Sequence, residues 1–212
     1  MRYAYKEKYM KVRNNLIPIP GNYPVVWLNY TKGIKDILDG AFNYQKLEIK
    51  IEKSFYTNYI GKTTITVNGG YADENLPYTI LFAARAGYND AYIDIQNTFN
   101  TMRYNEFAMN RYVSLMFRHS FGSLLFRAKH FNPEVVVLTN ALLGSLDHIE
   151  NHRNIYLKSP DKTYFESGLC INNLLKGSFT SFGLGTYFRY GAYQLDKAAA
   201  NWAIKWTMTL PL

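Results

Sequence analysis

The sequence predicts an all-β fold, an antiparallel meander of about 8–10 strands, on three observations. The first is the closing segment, residues 201–212, in which apolar and polar side chains alternate. Because successive side chains of a strand point to opposite sides, this segment predicts a strand with one apolar and one polar face. Its uncharged apolar face comprises Trp202, Ile204, Trp206, Met208 and Leu210. The same alternation recurs in Gln45–Tyr56, and aromatic residues make up 17% of the chain, including 19 Tyr and 13 Phe.

The predicted elements follow one another along the chain, separated by turn residues. Residues 1–22 are predicted to be an irregular lead-in, because Asn14-Asn15 and the Pro18–Gly21 stretch mark a loop. Lys32–Asn43 has apolar residues at helical spacing and predicts a short helix or a folded loop. The predicted strands are Val25–Lys32, Gln45–Tyr56, Gly61–Tyr71, Tyr104–Ser120, Leu124–Ala128, Val135–Leu146, Tyr164–Asn173, Ser181–Ala192 and the closing segment, with Tyr78–Ala84 and Ala91–Asn97 as weaker candidates.

The two-faced strands favour a single β-barrel domain over residues 1–212 that crosses a bacterial outer membrane. In such barrels the apolar face meets lipid and the polar face lines the lumen. No run of about 18 apolar residues exists, which excludes a transmembrane helix. The mean hydropathy of −0.24 fits a barrel, because only alternate residues of each strand face lipid. We therefore expect a transmembrane β-barrel or the C-terminal part of one.

The N-terminal residues bear on where the chain is located. Met1–Met10 contains charges and has no apolar core, so it is not a secretory signal peptide. A barrel of the outer membrane needs export, and we therefore expect the chain to be the C-terminal fragment of a longer protein. The alternatives are a soluble β-barrel binding module for a small apolar ligand, with the apolar face turned inward, or an outer-membrane enzyme.

The charge distribution argues against nucleic-acid binding. The formal net charge is +8, but Lys and Arg are scattered along the chain and form no block. Nucleic-acid binding usually concentrates positive charge on one face. A basic lumen, or basic rims against anionic lipopolysaccharide, is the simpler interpretation. The predicted partners are therefore outer-membrane lipid and lipopolysaccharide, and no nucleic acid.

The candidate catalytic and metal-binding residues do not form a recognisable site, so we predict that the protein is not an enzyme and has no cofactor. His148 and His152 have a spacing that places two imidazoles on one side of a helix, but they lie in a polar connection without a helical apolar stripe, so we predict no metal site. Cys170 has no histidine near it in sequence. Glu166 and Arg189 share the polar faces of neighbouring strands, and a structural ion pair in the lumen is the favoured interpretation.

Several short sequence segments, taken in their order along the chain, resemble those of a known family. They are Pro24–Gly33, Tyr44–Glu48, Asn105–Ser114, Leu142–Asp147, Tyr164–Leu174 and Phe188–Gly191. Together they resemble the C-terminal barrel region of an uncharacterised family of Bacteroidota outer-membrane proteins, and more distantly the outer-membrane assembly barrel superfamily. Family members typically begin with a signal peptide and a carboxypeptidase-regulatory-like domain. Position 170 is Cys where a small residue, commonly Gly, is expected.

The resemblance implies an envelope role and two further partners. The role would be structural, in transport or in assembly, with no identifiable catalysis. The closing strand, which ends at Leu212, would be recognised by the barrel assembly machinery. The remaining strands of the parent chain would complete the barrel.

Overall fold

The protein is all-β, and its strands alternate with connections of very different length. The computed structural model describes residues 1–19, 21–36, 41–73, 76–87, 94, 96–126, 131–152, 155–177 and 180–209. These residues contain no α-helix, only 3-10 turns at Ile149–Asn151 and Ala198–Asn201. The strands are β1 Arg2–Ala4, β2 Lys8–Val12, β3 Asn15–Ile19, β4 Pro24–Gly33, β5 Tyr44–Thr57, β6 Gly61–Ala72, β7 Phe82–Ala83, β8 Ala108–Met109, β9 Arg111–Ser120, β10 Glu134–Ser145, β11 Tyr164–Lys176, β12 Ser181–Gly191 and β13 Trp202–Thr209.

Nine of these strands form one antiparallel sheet in the order β1-β4-β5-β6-β9-β10-β11-β12-β13. Neighbours in this sheet are also neighbours among the long strands of the chain, so the predicted antiparallel meander is confirmed. Within the described residues, no ladder of hydrogen bonds joins β1 to β13. The sheet therefore has two edges, and the structure does not show a closed barrel.

The register gives the sheet two chemically different faces. Ile51 is paired with Val67, Val67 with Leu115 and Leu115 with Ala141, so apolar side chains continue across four strands. We call this side the apolar face; its members include Leu47, Ile49, Ile51, Ile65, Val67, Val113, Leu115, Phe117, Val137, Leu143, Leu169, Phe182, Leu184, Trp202, Ile204, Trp206 and Met208. The intervening residues form the polar face, which on β5 includes Lys46, Glu48, Lys50 and Glu52.

The connection between β6 and β9 lies against the polar face. Phe82 of β7 packs edge-on against Tyr112 at a centroid distance of 5.0 Å, and Phe99 packs on Tyr164 at 5.5 Å. The largest apolar cluster lies at this contact and comprises Ala72, Leu76, Leu81, Phe82, Phe99, Met102, Phe107, Ala108, Met109, Met116, Leu142 and Tyr164. We call the described residues of this connection, 76–87, 94 and 96–110, the covering segment. Most polar-face residues of β10–β13 are buried, those of β4 and β5 are half-buried or exposed, and the apolar side of the sheet is largely exposed.

The N-terminal residues are more regular than expected. The prediction that residues 1–22 are irregular is corrected, because they contain β1 and a β2–β3 hairpin. The hairpin pairs Lys8 with Ile19 and Val12 with Asn15. The proline at position 18 is tolerated because this hairpin forms a separate two-stranded ladder, in which a missing N–H can face solvent.

Five other predicted elements differ from the structure or lie partly outside the described residues. The strand predicted over Tyr104–Ser120 begins only at Arg111, because Phe107–Met109 turn into the apolar cluster. Of the weaker candidates, Tyr78–Ala84 shrinks to the two residues of β7, and most of Ala91–Asn97 lies outside the described residues. The described part of Lys32–Asn43 forms no helix and that of Leu124–Ala128 forms no strand, which corrects the predicted strand; the rest of both ranges lies outside the described residues.

Candidate functional site: the polar face and its covering segment

The most heavily hydrogen-bonded carboxylate of the polar face belongs to Glu166 on β11. Its side chain has no exposed surface. It accepts hydrogen bonds from the backbone N–H of Asn100 at 2.9 Å and from that of Thr101 at 2.6 Å. The Thr101 hydroxyl and the Asn140 amide also donate to it, at 2.6 and 3.1 Å. Glu166 therefore binds the backbone of the covering segment to the centre of the sheet.

Arg189 on β12 binds the same segment a few residues further along. Its guanidinium contacts both Glu106 carboxylate oxygens, at 2.6 and 3.2 Å, and Nε donates to the carbonyl of Tyr193 at 2.6 Å. The guanidinium also lies 5.0 Å from the centroid of the Tyr164 ring. Only 2% of the Arg189 side chain is exposed. This buried ion pair holds the C-terminal half of the covering segment.

The predicted pair of Glu166 and Arg189 is therefore only partly reflected in the structure. The two residues occupy directly paired positions on β11 and β12, on the polar face. Their charged groups nevertheless take other partners, since Arg189 pairs with Glu106 and Glu166 binds backbone amides. Sequence reasoning missed these partners because both lie more than 60 residues away along the chain.

Lys205, on the closing strand, is the third charged residue at the contact between the covering segment and the polar face. It is 1% exposed and points to the polar face. A β-carbon built on Gly87 of the covering segment would lie 2.8 Å from its ammonium nitrogen, so the backbone passes directly over this lysine. Glu166 and Asp94 are its negatively charged neighbours. A side chain at position 87 would require the end of the Lys205 side chain to move.

The covering segment also reaches the free edge of β13. The backbone N–H of Asp94 donates to the Trp206 carbonyl at 2.7 Å. The Asp94 carboxylate accepts from the Asn100 amide at 3.0 Å and lies 4.0 Å from the Arg118 guanidinium. One backbone group of an otherwise open sheet edge is thereby satisfied by the chain itself.

Glycines of β11 and β12 make room for a tyrosine that lies flat on the polar face. A β-carbon at Gly168 would lie 2.5 Å from the Tyr187 ring, and one at Gly185 would lie 2.6 Å from the Tyr187 hydroxyl. The hydroxyl is 3.2 Å from the Cys170 sulfur. Cys170 is buried against Tyr187, and this contact suggests a packing role.

A polar cleft of about 320 Å³ opens beside the covering segment. Its walls come from β5, β6, β9, β10, β11 and β13 and from Asp94, Gln96, Asn97, Thr98 and Asn100. The charged residues that line it are Glu52, Lys62, Asp94, Arg118 and Glu134. These charges largely cancel, so the cleft has no strong preference for a cation or an anion.

The loops at one end of the sheet carry a second set of polar contacts. The Tyr193 hydroxyl donates to the Asp161 carboxylate at 2.7 Å, and the Ser159 carbonyl oxygen lies 2.9 Å from the same hydroxyl oxygen. Burial raises the pKa of Tyr193 to about 12, and the hydrogen bond from Tyr193 lowers the pKa of Asp161. Hydrogen bonds from Asn110 and Arg111 likewise lower the pKa of Asp147. These contacts fasten the loops around the covering segment.

The two histidines do not form a metal centre with other described residues. His148 has a left-handed backbone conformation before the 3-10 turn, and its Nδ1 lies 3.3 Å from Glu150. Among the residues that the structure describes, no three His, Cys, Asp or Glu side chains come close enough together to hold a metal ion.

The predicted apolar residues of the closing strand lie on the exposed side. The side chains of Trp202, Ile204, Trp206 and Met208 are 49–61% exposed. Leu210, the fifth member of the predicted set, lies outside the described residues. The described residues contain no helix that is both long and apolar enough to cross a membrane.

The described residues thus form a large antiparallel sheet with an exposed apolar face and a polar face that is partly covered by a segment of its own chain. Residues 1–143 match the C-terminal domain of a family of unknown function, DUF5686, and the chain belongs to this family. No curated protein matches the chain, and no solved structure matches it.

Proposed function

We propose that the chain forms part of a transmembrane β-barrel of a bacterial outer membrane, with a structural, transport or assembly role in the envelope. The observation that carries this proposal is the composition of the apolar face. Along β4–β13 this face has no Asp or Glu, and its Lys and Arg residues are Lys32, Lys53 and Arg111. Its apolar side chains are exposed on every long strand. A surface of this kind is stable in lipid and costly in water.

The distribution of polar and aromatic residues within this face agrees with a membrane boundary. Arg111 begins β9 and His119 lies near its end, with apolar residues between them. Eight residues of strand correspond to about 27 Å along its axis. At one end of the sheet, Phe165, Tyr190, Phe188 and Trp202 form a continuous aromatic cluster with centroid distances of 4.7–6.2 Å. Aromatic residues concentrate at both interfaces of membrane barrels.

The connections suggest an orientation. At one end of the sheet the strands are joined by residues 34–43, 73–110, 146–163 and 192–201. At the other end they are joined by residues 5–23, 58–60, 121–133 and 177–180, and β13 also ends there. Outer-membrane barrels have longer extracellular loops and shorter periplasmic turns. We therefore place residues 58–60 and 177–180 on the periplasmic side and the covering segment as an extracellular loop folded into the lumen.

The proposed partners follow from the same surfaces. Outer-membrane lipid would cover the apolar face, and lipopolysaccharide would contact the basic residues near its rim, such as Arg111. The edges at β1 and β13 would pair with further strands of a longer parent chain, because unpaired backbone groups cannot remain in lipid. The barrel assembly machinery would recognise the closing strand. No step of catalysis and no nucleic-acid partner is part of the proposal.

The three tryptophans allow a direct test. Trp202 and Trp206 lie on the apolar face, whereas Trp27 lies on the polar face with Lys50 4.6 Å from its ring. Three single-tryptophan proteins are made by changing the other two tryptophans to Phe, and each is refolded into phosphatidylcholine vesicles with or without brominated acyl chains. We expect brominated lipid to quench Trp202 and Trp206 strongly and Trp27 weakly.

A control with a second quencher makes the result decisive. A water-soluble quencher, acrylamide, applied to the same vesicles should give the opposite order. Cooperative folding of the unmodified chain in plain buffer, together with equal and negligible quenching of all three tryptophans by brominated lipid, would refute the membrane proposal.

A further inference from the structure

The β2–β3 hairpin has no buried residue, although it contains several large apolar side chains. Every residue of both strands is exposed to solvent. The apolar residues, each 42–67% exposed, are Tyr9, Met10, Val12, Leu16, Ile17 and Ile19. An isolated two-stranded hairpin is at best marginally stable in water. A surface that covers these apolar side chains would therefore stabilise the hairpin.

The register places most of these apolar side chains on one side of the hairpin. Met10 pairs directly with Ile17, and directly paired residues of an antiparallel ladder share a face. Val12 and Ile19 are two residues away from this pair along their strands, so they lie on the same side. We call the side that carries Met10, Val12, Ile17 and Ile19 the outer side of the hairpin.

The opposite side of the hairpin is turned toward the polar face of the main sheet. Pro18, which lies between Ile17 and Ile19 on β3, lines a cavity together with Glu52 and Ser54 of the polar face. The outer side of the hairpin therefore faces away from the polar face, in the direction of the apolar face.

The hairpin is also basic. Its acidic neighbour Glu7, the one acidic residue among residues 1–23, already accepts a hydrogen bond from Arg2 at 2.8 Å. Amphipathic elements that combine exposed apolar and cationic side chains lie on anionic membranes, where the cations contact lipid phosphates. The exposed basic residues of and beside the hairpin are Lys6, Lys8, Lys11 and Arg13.

The base of the hairpin lies at a boundary of the apolar face. β4 begins at Pro24, which pairs with Lys53, an exposed cation of the apolar face. The connection that contains the hairpin leaves the sheet at the end to which we assign the periplasmic side. A membrane that covers the apolar face would thus end beside the hairpin.

We propose that the outer side of the hairpin docks on the periplasmic leaflet of the membrane and binds anionic phospholipid. Its apolar side chains enter the boundary between headgroups and acyl chains. Lys8, on the outer side, and Arg13, at the tip, contact the lipid phosphates. The inference rests on the proposed membrane location, and it adds a requirement for anionic lipid that the apolar face of the sheet does not have.

The test places a single tryptophan on either side of the hairpin. The three native tryptophans are changed to Phe in the full chain, and either Ile17→Trp or Leu16→Trp is added. Leu16 pairs with Lys11 and lies on the side opposite Ile17, so it is the matched control. Each protein is refolded into phosphatidylcholine vesicles with or without phosphatidylglycerol, using phosphatidylcholine that is brominated near the headgroup. We expect strong quenching of the Ile17→Trp protein in vesicles with phosphatidylglycerol, and weak quenching of the Leu16→Trp protein.

Two pairs of substitutions in the Ile17→Trp protein test the role of charge. Lys8→Gln with Arg13→Gln should lower the equilibrium constant for docking about 25-fold, which is about fivefold for each charge. Lys162→Gln with Lys197→Gln removes two exposed charges from connections at the opposite end of the sheet and should leave the quenching unchanged. High salt should also weaken docking, because it screens surface charges.

The outcomes separate this inference from the membrane proposal. If the proteins that retain only Trp202 or Trp206 are quenched and the Ile17→Trp protein is not, the docking inference is wrong and the membrane proposal stands. If none of them is quenched, the membrane proposal fails and the inference fails with it. Equal quenching of the Ile17→Trp protein with and without phosphatidylglycerol would overturn the requirement for anionic lipid. Circular dichroism of each variant checks that its fold is retained.

Discussion

A charge at the centre of the apolar face distinguishes a lipid-facing surface from a water-facing one. Leu115 is the best position for it. It lies midway between Arg111 and His119 on β9, and its side chain is 45% exposed. We consider Leu115→Arg, with Met208→Arg at the end of β13 as the matched control, because Met208 belongs to the same face and is 49% exposed.

The expected magnitude follows from the position of each residue along its strand. Leu115 is four residues from Arg111 and four from His119, which is about 14 Å along the strand in each direction. With a strand tilt of about 45°, this places Leu115 about 10 Å from either end of the apolar band, near the middle of a band about 25 Å tall. An arginine there costs about 2–4 kcal/mol, whereas near the interface it costs about 0–1 kcal/mol.

The assay is urea unfolding of both variants and the unmodified chain in phosphatidylcholine vesicles, followed by tryptophan fluorescence. We expect Leu115→Arg to lower the free energy of unfolding by about 2 kcal/mol more than Met208→Arg does. On a solvated surface both substitutions would change stability by less than about 0.5 kcal/mol. Equal and small effects at the two positions would therefore refute the lipid-facing interpretation.

Three further predictions concern the polar face and the N-terminus. Glu166→Ala removes the acceptor of the Asn100 and Thr101 backbone amides. We expect this substitution to destabilise the covering segment by about 3 kcal/mol and to speed its hydrogen exchange; unchanged exchange would contradict the anchoring role. Gly183→Val should prevent folding, because its β-carbon would lie 2.2 Å from the Ile171 carbonyl oxygen, and a normal refolding yield would show that the strands can separate. Hydrogen bonds from Arg2 lower the pKa of Glu7 to about 2. The contribution of this pair to stability is therefore complete above about pH 4.5 and lost as the pH falls through about 2; a Glu7 carboxyl chemical shift that titrates near pH 4.5 would disprove it.

The alternation of side chains was sufficient to predict most strands of the main sheet. β5, β6, β11, β12 and β13 begin and end within a few residues of the predicted bounds, because one apolar face and one polar face impose a period of two on each strand. The same alternation placed Glu166 and Arg189 on one face, which the register of β11 and β12 bears out.

The covering segment was largely missed, and the reason is physical. Phe82, Phe99 and Phe107 are buried on partners from β9 and β11 or from distant loops, so no local period marks them. The hydrogen bonds from Asn100 and Thr101 to Glu166 are equally non-local. The nearest sequence indication is that residues 73–110 contain few alternating apolar residues, which predicts only a long connection.

The sequence by itself determined that the chain is all-β and that each long strand has an apolar and a polar side, because side-chain direction is a local property of an extended backbone. Only the tertiary structure decided which side is covered. The closing strand illustrates this division: its alternation separates Trp206 from Lys205 in any β-fold, but the burial of Lys205 and the exposure of Trp206 depend on where the covering segment packs. That choice rests on contacts between residues far apart in the chain, such as Glu166 with Thr101 and Arg189 with Glu106, which no local pattern encodes.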